Sequence, residues 1–147
     1  MNKERKIILV SGGFDPPHVG HIRMFKEAAE WGDLIVAINS DDWLMRKKGY
    51  VFMPWEERAE LIESLKFVSC VIPFVDDDNT ACDAILMVEP DAFANGGDRK
   101  LGNTPETDLC EEMGIQMLWG IGGKNKPQSS SWLVNNIIEK VKSGEIK

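Results

Sequence analysis

The chain has no long apolar run, few cysteines and a shortage of positive charge, and each shortage removes a class of protein. No stretch approaches the roughly 20 apolar residues needed to span a bilayer. The charged opening, Met1-Asn2-Lys3-Glu4-Arg5-Lys6, leads into the short run Ile7-Ile8-Leu9-Val10. That run is too short for a signal-peptide core and no small-residue cleavage site follows it, so a cytoplasmic protein without a membrane anchor is expected. The three cysteines, Cys70, Cys82 and Cys110, are dispersed and form no C-x-x-C pair. This excludes a disulfide frame or a zinc site and predicts reduced, packed thiols; no metal-ligating set is expected. Lys and Arg number 17 against 24 Asp and Glu, a net charge of -7. A general nucleic-acid partner is thereby excluded, because it needs a positive footprint. A nucleotide site is not, since a few local cations and backbone N–H groups hold one triphosphate. No G-x-G-x-x-G follows the first strand, which removes a dinucleotide-dependent redox enzyme.

What is present reads as one globular domain over residues 1–147, large enough for a continuous core without staples. Strand and helix signals alternate. Strands are predicted at 6–11, 33–39, 68–74, 91–94 and 115–119, and helices at 19–31, from Pro54 onward, and at 80–88, 105–113 and 130–141. Strands separated by helices imply right-handed crossovers and a Rossmann-like, doubly wound, parallel five-stranded α/β sheet. Ligands of such sheets bind beyond the carboxyl ends of the strands, so the loops there are the place to seek chemistry.

The first of these loops is Ser11-Gly12-Gly13-Phe14-Asp15-Pro16-Pro17-His18-Val19-Gly20-His21. Gly12 and Gly13 allow the backbone close to a ligand. His18 and His21, the only histidines, fall on one face at the start of a helix. There they are placed to neutralise phosphate charge, or simply to cap the helix. The second loop ends in Arg46-Lys47-Lys48-Gly49, a cationic run that fits phosphate contact or a solvated turn. In the third, Asn95-Gly96-Gly97-Asp98-Arg99, the glycines permit a tight turn, and Asp98 is suited to a ribose, a base or a metal-bound water. The fourth, Lys126-Pro127-Gln128-Ser129-Ser130-Ser131, opens a helix with hydroxyls that either seat an anion or cap.

Gly13-Phe14-Asp15 followed by His18-Val19-Gly20-His21 resembles the H-x-G-H signature of the cytidylyltransferase-like nucleotidyltransferase superfamily. Asn39-Ser40-Asp41, Lys48-Gly49 and Gly97-Asp98 are similar to the heptose-phosphate adenylyltransferases within it; the stretch from Glu57 to Pro73 also resembles the glycerol-3-phosphate cytidylyltransferases. The chain departs from the former group at Asn95, where a lysine is usual. The resemblance implies transfer of a nucleoside monophosphate, AMP favoured, from a nucleoside triphosphate to a phosphorylated small molecule such as a sugar phosphate. Cytidylyl transfer from CTP to a polyol phosphate is the alternative, and a nucleotide-binding module without turnover the reading from another class. His18, His21 and Lys48 are then the catalytic groups. Gly12, Gly13, Phe14, Asp15, Gly20, Gly97, Asp98, Lys126, Ser129, Ser130 and Ser131 bind the nucleotide. Asp41 and Arg58 go to the acceptor, with Arg58 either facing its phosphate or bracing a helix. Mg²⁺ on the triphosphate and a homodimer are expected on the same ground.

Overall fold

The computed structural model describes residues 5–96, 104–121 and 129–146. Five parallel strands, β1 (Ile7–Gly12), β2 (Asp33–Ile38), β3 (Cys70–Ile72), β4 (Ala92–Gly96) and β5 (Gln116–Ile121), form one sheet in the order β3-β2-β1-β4-β5. Pairing is in register: Ile8 lies opposite Leu34 on one side and Ala92 on the other. Strand alternation divides the core in two. Ile8, Val10, Leu34, Val36 and Ile38 pack with Phe25 and Ala28 of α1 (Val19–Ala29) and Ala59 and Ile62 of α3 (Trp55–Glu63). Leu9, Ala37 and Phe93 face Ala84 and Ile85 of α4 (Cys82–Val88) and Cys110 of α5 (Pro105–Met113). Both faces are covered, as a parallel sheet requires. From β1 the chain goes to β2 and β3, then returns to the other side of β1 through β4. The carboxyl end of β1 is therefore the switch point, and the histidine-bearing loop leaves from it.

The parallel α/β sheet agrees with the sequence expectation, and two local differences have physical causes. Residues 41–48, read as part of a loop, form α2 (Asp41–Lys48). Ser40 caps it, accepting from the Trp43 N–H; Asp41 and Asp42 occupy its first turn, Arg46, Lys47 and Lys48 its last, and Gly49 closes it with φ of 82°. Every charge complements the helix dipole, so the cationic run is first of all a helix ending. The third strand is only Cys70–Ile72, an edge strand paired on one side with β2, and Cys70 is exposed there instead of packed. Cys110 does pack, and burial pushes its thiol up to about 11. The last helix, α6 (Ser130–Lys142), has no buried residue, and Trp132, Ile137 and Val141 are exposed along it.

Candidate active site

Loop 1 follows β1 and is fixed by its own packing. Phe14 takes φ of 51°, which turns its ring back into the core against Phe25, with centroids 5.3 Å apart. A Cβ on Gly12 would lie 2.8 Å from that ring, and one on Gly13 would lie 3.1 Å from Trp43 and Leu44. The space these glycines leave is filled by the protein's own side chains. The Asp15 carboxylate is also turned inward: buried, it accepts from the N–H groups of Phe52 at 2.7 Å and Met53 at 2.6 Å.

The two histidines meet at the head of α1. His18 is its N-cap, Nδ1 accepting from the Gly20 N–H at 3.0 Å, and His21 Nδ1 accepts from the His18 N–H at 3.1 Å. The result is a capping box made of imidazoles instead of the usual hydroxyl and carboxyl pair. The rings stack with centroids 3.7 Å apart, and the Phe14 ring meets His21 edge-on at 4.8 Å. A nitrogen that accepts a hydrogen bond carries no proton, so each neutral ring bears its proton on Nε2. Capping thus engages Nδ1 of both rings. The sequence left capping and phosphate recognition open for this pair, and the geometry displays the cap.

Lys48 reaches loop 1 from the end of α2. Its Nζ donates to the Asp15 carbonyl at 2.9 Å and stands 3.9 Å from the Asp15 carboxylate. Burial lowers the Lys48 pKa; Asp15 opposes that shift, and Arg58 and Lys47 add to it. Ser130, first residue of α6, donates from Oγ to the Pro16 carbonyl at 2.8 Å, and Ser129 caps the helix by accepting from the Trp132 N–H. The serine helix thus abuts loop 1, while Ser131 is exposed. His18, His21, Lys48 and Ser130 are all tied to residues 15–21, and that grouping is the centre of the site. Gly97, Asp98 and Lys126 lie outside the described residues.

Arg58 takes the bracing role. It is fully buried; Nε donates to the Met53 carbonyl at 2.9 Å, and Nη1 to the carbonyls of Gly13 at 2.7 Å and Asn39 at 2.9 Å. Nη2 meets the Asp41 carboxylate at 2.6 Å. One planar guanidinium thereby joins loop 1, the end of β2, the segment before α3 and α2. Asp76, absent from the sequence reading, does the same with the opposite charge. It accepts from the Ser40 N–H at 2.8 Å, Ser40 Oγ at 2.7 Å and the Asn39 amide at 3.1 Å. Burial pushes its carboxyl up, but the bonds from Ser40 and Asn39 and the nearby Arg46 charge outweigh this and hold it below its ordinary value. Its signal in the sequence was an acid just beyond the third strand, at the level where Asn39 and Ser40 leave the second.

Beside Asp41, a cleft of about 250 Å³ opens at the carboxyl ends of β2 and β3, walled by Ile38, Trp55, Pro73 and Phe74 and bearing Asp41 and Asp42.

A doubly wound sheet with paired imidazoles, a lysine and a serine-led helix gathered around its switch-point loop is an α/β protein whose ligand end lies at that loop. The cytidylyltransferase-like family model matches residues 9–144. The chain belongs to that family. It is 33% identical to the bifunctional protein HldE of Hydrogenovibrio crunogenus, an alignment covering 99% of this chain and 29% of that protein. To HldE of Haemophilus influenzae it is 36% identical, over 93% of this chain and 28% of the relative. It thus spans under a third of these relatives' length. A lipopolysaccharide core biosynthesis protein from Thermoplasma volcanium superposes with a TM-score of 0.65 at 25% identity, covering 78% of this chain and 95% of that one. A putative nicotinate-nucleotide adenylyltransferase from Vibrio parahaemolyticus, 15% identical, shares the fold with a TM-score of 0.56 over 92% of this chain and 88% of that one.

Proposed function

We propose that the chain transfers the adenylyl group of ATP to a sugar phosphate. An acceptor phosphate oxygen forms a bond to the α-phosphorus, the bond from that phosphorus to the bridging oxygen of the β-phosphate breaks, and pyrophosphate leaves. The observation that carries this reading is the imidazole pair, stacked at the positive end of a helix and fixed there by backbone caps on both Nδ1 atoms. The acceptor phosphate is ionised at neutral pH and needs no side-chain base, so the task is alignment and stabilisation of charge building on the α-phosphate and the leaving group. His18 and His21 serve that charge, Lys48 a phosphate of donor or acceptor, and Ser130 with the head of α6 the triphosphate. Phe14, Asp15 and Gly20 act indirectly, by holding the histidines and Lys48 in place. Among the described residues no three His, Cys, Asp or Glu side chains gather as a metal site. A Mg²⁺ ion would come in on the triphosphate, held by phosphate oxygens and water, and would supply charge neutralisation there. Likeness to HldE and the Asn39-Ser40-Asp41 and Lys48-Gly49 motifs support ATP and a heptose phosphate or similar sugar phosphate. The proposed homodimer rests on family resemblance alone, and sedimentation at several protein concentrations tests it.

The deciding experiment combines Mg²⁺, each of ATP, CTP, GTP and UTP, and a panel of phosphorylated acceptors, with pyrophosphate release as the readout. ATP-dependent turnover of a sugar phosphate is expected. Faster turnover with CTP reverses the base, and no turnover with any pair leaves only a binding module.

A further inference from the structure

The cleft between β2, β3 and α3 is chemically unlike the histidine loop. Buried Ile38 and Phe74, half-buried Trp55 and exposed Pro73 supply apolar surface, and the charged groups at the cleft are the carboxylates of Asp41 and Asp42. A phosphate is repelled from such a place. The Trp55 indole is held by its Nε1–H bond to the Ile38 carbonyl at 3.0 Å, so the ring is a fixed wall. Arg58 holds Oδ1 of Asp41, while the Asp42 carboxylate forms no hydrogen bond or ion pair with the described residues. Ionised carboxylates only accept hydrogen bonds, and those from hydroxyls are short and strong. Apolar walls with carboxylates fit a molecule that is at once C–H surface and O–H donor: a polyhydroxylated carbon chain or sugar ring. An organic cation is the other chemistry that acids attract. Recognition of quaternary ammonium uses a cage of aromatic faces, whereas here Phe74 is 8% exposed and the Asp41 charge is already met by Arg58. Position completes the argument, for the guanidinium that grips Asp41 also grips the Gly13 carbonyl of loop 1. A ligand whose phosphate lies at Lys48 and the histidines has this cleft beside it for the rest of its body.

We propose that the cleft binds the hydroxyl-bearing body of the phosphorylated acceptor, and that Asp42, against the Trp55 wall, selects long polyols over short ones. This rests on the transfer reading above. The test is steady-state kinetics at saturating ATP with glycerol 3-phosphate, glucose 1-phosphate, mannose 1-phosphate and phosphocholine, on wild type, Asp42→Ala and Asp42→Asn. The wild type is expected to favour the hexose phosphates. Both variants are expected to raise the hexose KM by about tenfold, the scale of one charge-assisted hydrogen bond, and the glycerol 3-phosphate KM by less than about twofold, with the change in KM rather than kcat. Calorimetric binding of glucose 1-phosphate to the same three proteins separates the two levels of argument. Weaker binding to the variants without turnover of any acceptor upholds the cleft and overturns adenylyl transfer. An unchanged hexose-to-glycerol preference in folded variants, or a wild type that prefers phosphocholine, overturns the cleft assignment.

Discussion

His18 caps α1 through Nδ1 and is proposed to meet phosphate charge as well, so one substitution keeps the first role while removing the second. Asparagine is among the best N-caps and carries no ring. His18→Asn is expected to unfold at nearly the wild-type temperature yet lose on the order of 10²-fold in kcat, the scale of one preorganised contact to developing charge. His18→Ala should lose that and about 1 kcal/mol of stability besides. Because the rings stack at 3.7 Å, combining His18→Asn with His21→Ala should cost less than the product of the separate losses. Kinetics with parallel thermal melts separates the roles, and an Asn variant with near-normal kcat would return His18 to capping alone. The pair was legible in the sequence because its spacing is local and its residue type rare. Arg58 was only half legible, since its partners Gly13, Asn39 and Asp41 lie 45, 19 and 17 residues away and two of them offer backbone oxygens. No side-chain pattern announces a carbonyl. Arg58→Ala leaves the Gly13, Asn39 and Met53 carbonyls without their donor and takes the partner from half-exposed Asp41. It is expected to cost about 3–5 kcal/mol by denaturant titration, the scale of leaving two or more buried acceptors without a donor. A stable Arg58→Ala protein with only a raised acceptor KM would restore the phosphate role that the sequence left open.

Among the elements, α2 gains most from being seen in three dimensions. Its charges read as a phosphate-binding turn because the helix is short and its one buried residue, Leu44, gives no apolar stripe to detect. What announces it is the pairing of Ser40 with Gly49 as start and stop, a capping argument instead of a periodic one. Asp76 ties that start to the end of β3, and its depressed pKa sets a pH signature. A carboxylate with a folded pKa below its unfolded value stabilises fully above the unfolded value, and the benefit fades as pH falls through the folded one. Asp76→Ala should therefore cost about 2–4 kcal/mol at pH 7, with the Ser40 and Asn39 donors left without their acceptor. The gap to wild type should narrow below the ordinary value of 3.8. Chemical denaturation at several pH values reads this directly, and a gap that widens in acid would contradict the assignment. Strand β3 was overestimated in length because apolar residues continue beyond the point where β2 stops pairing with it.

At the scale of the molecule, an enzyme with a net charge of -7 is proposed to attract two anions. At about 10 mM salt, fields reach about 30 Å and the whole negative chain opposes a triphosphate; near 100 mM they reach about 10 Å, leaving mainly the local cations at Arg46, Lys47 and Lys48. The expected kcat/KM for the triphosphate rises from the first condition to the second and falls toward 1 M. A steady fall from the lowest salt would mean that local attraction governs throughout. The parallel, doubly wound sheet was readable from the alternation of strands and helices, whereas its strand order and the way loop 1 and residues 50–54 are knotted were not, the knot being made by two buried ionic groups of opposite sign. That knot has a kinetic consequence. The amide protons of Phe52 and Met53 are held by no helix or strand, only by the Asp15 carboxylate beneath loop 1, and Arg58 clamps the same segment through the Met53 carbonyl. Their exchange with deuterated solvent should be as slow as that of β1 amides, an irregular stretch opening only when the carboxyl end of the sheet opens with it.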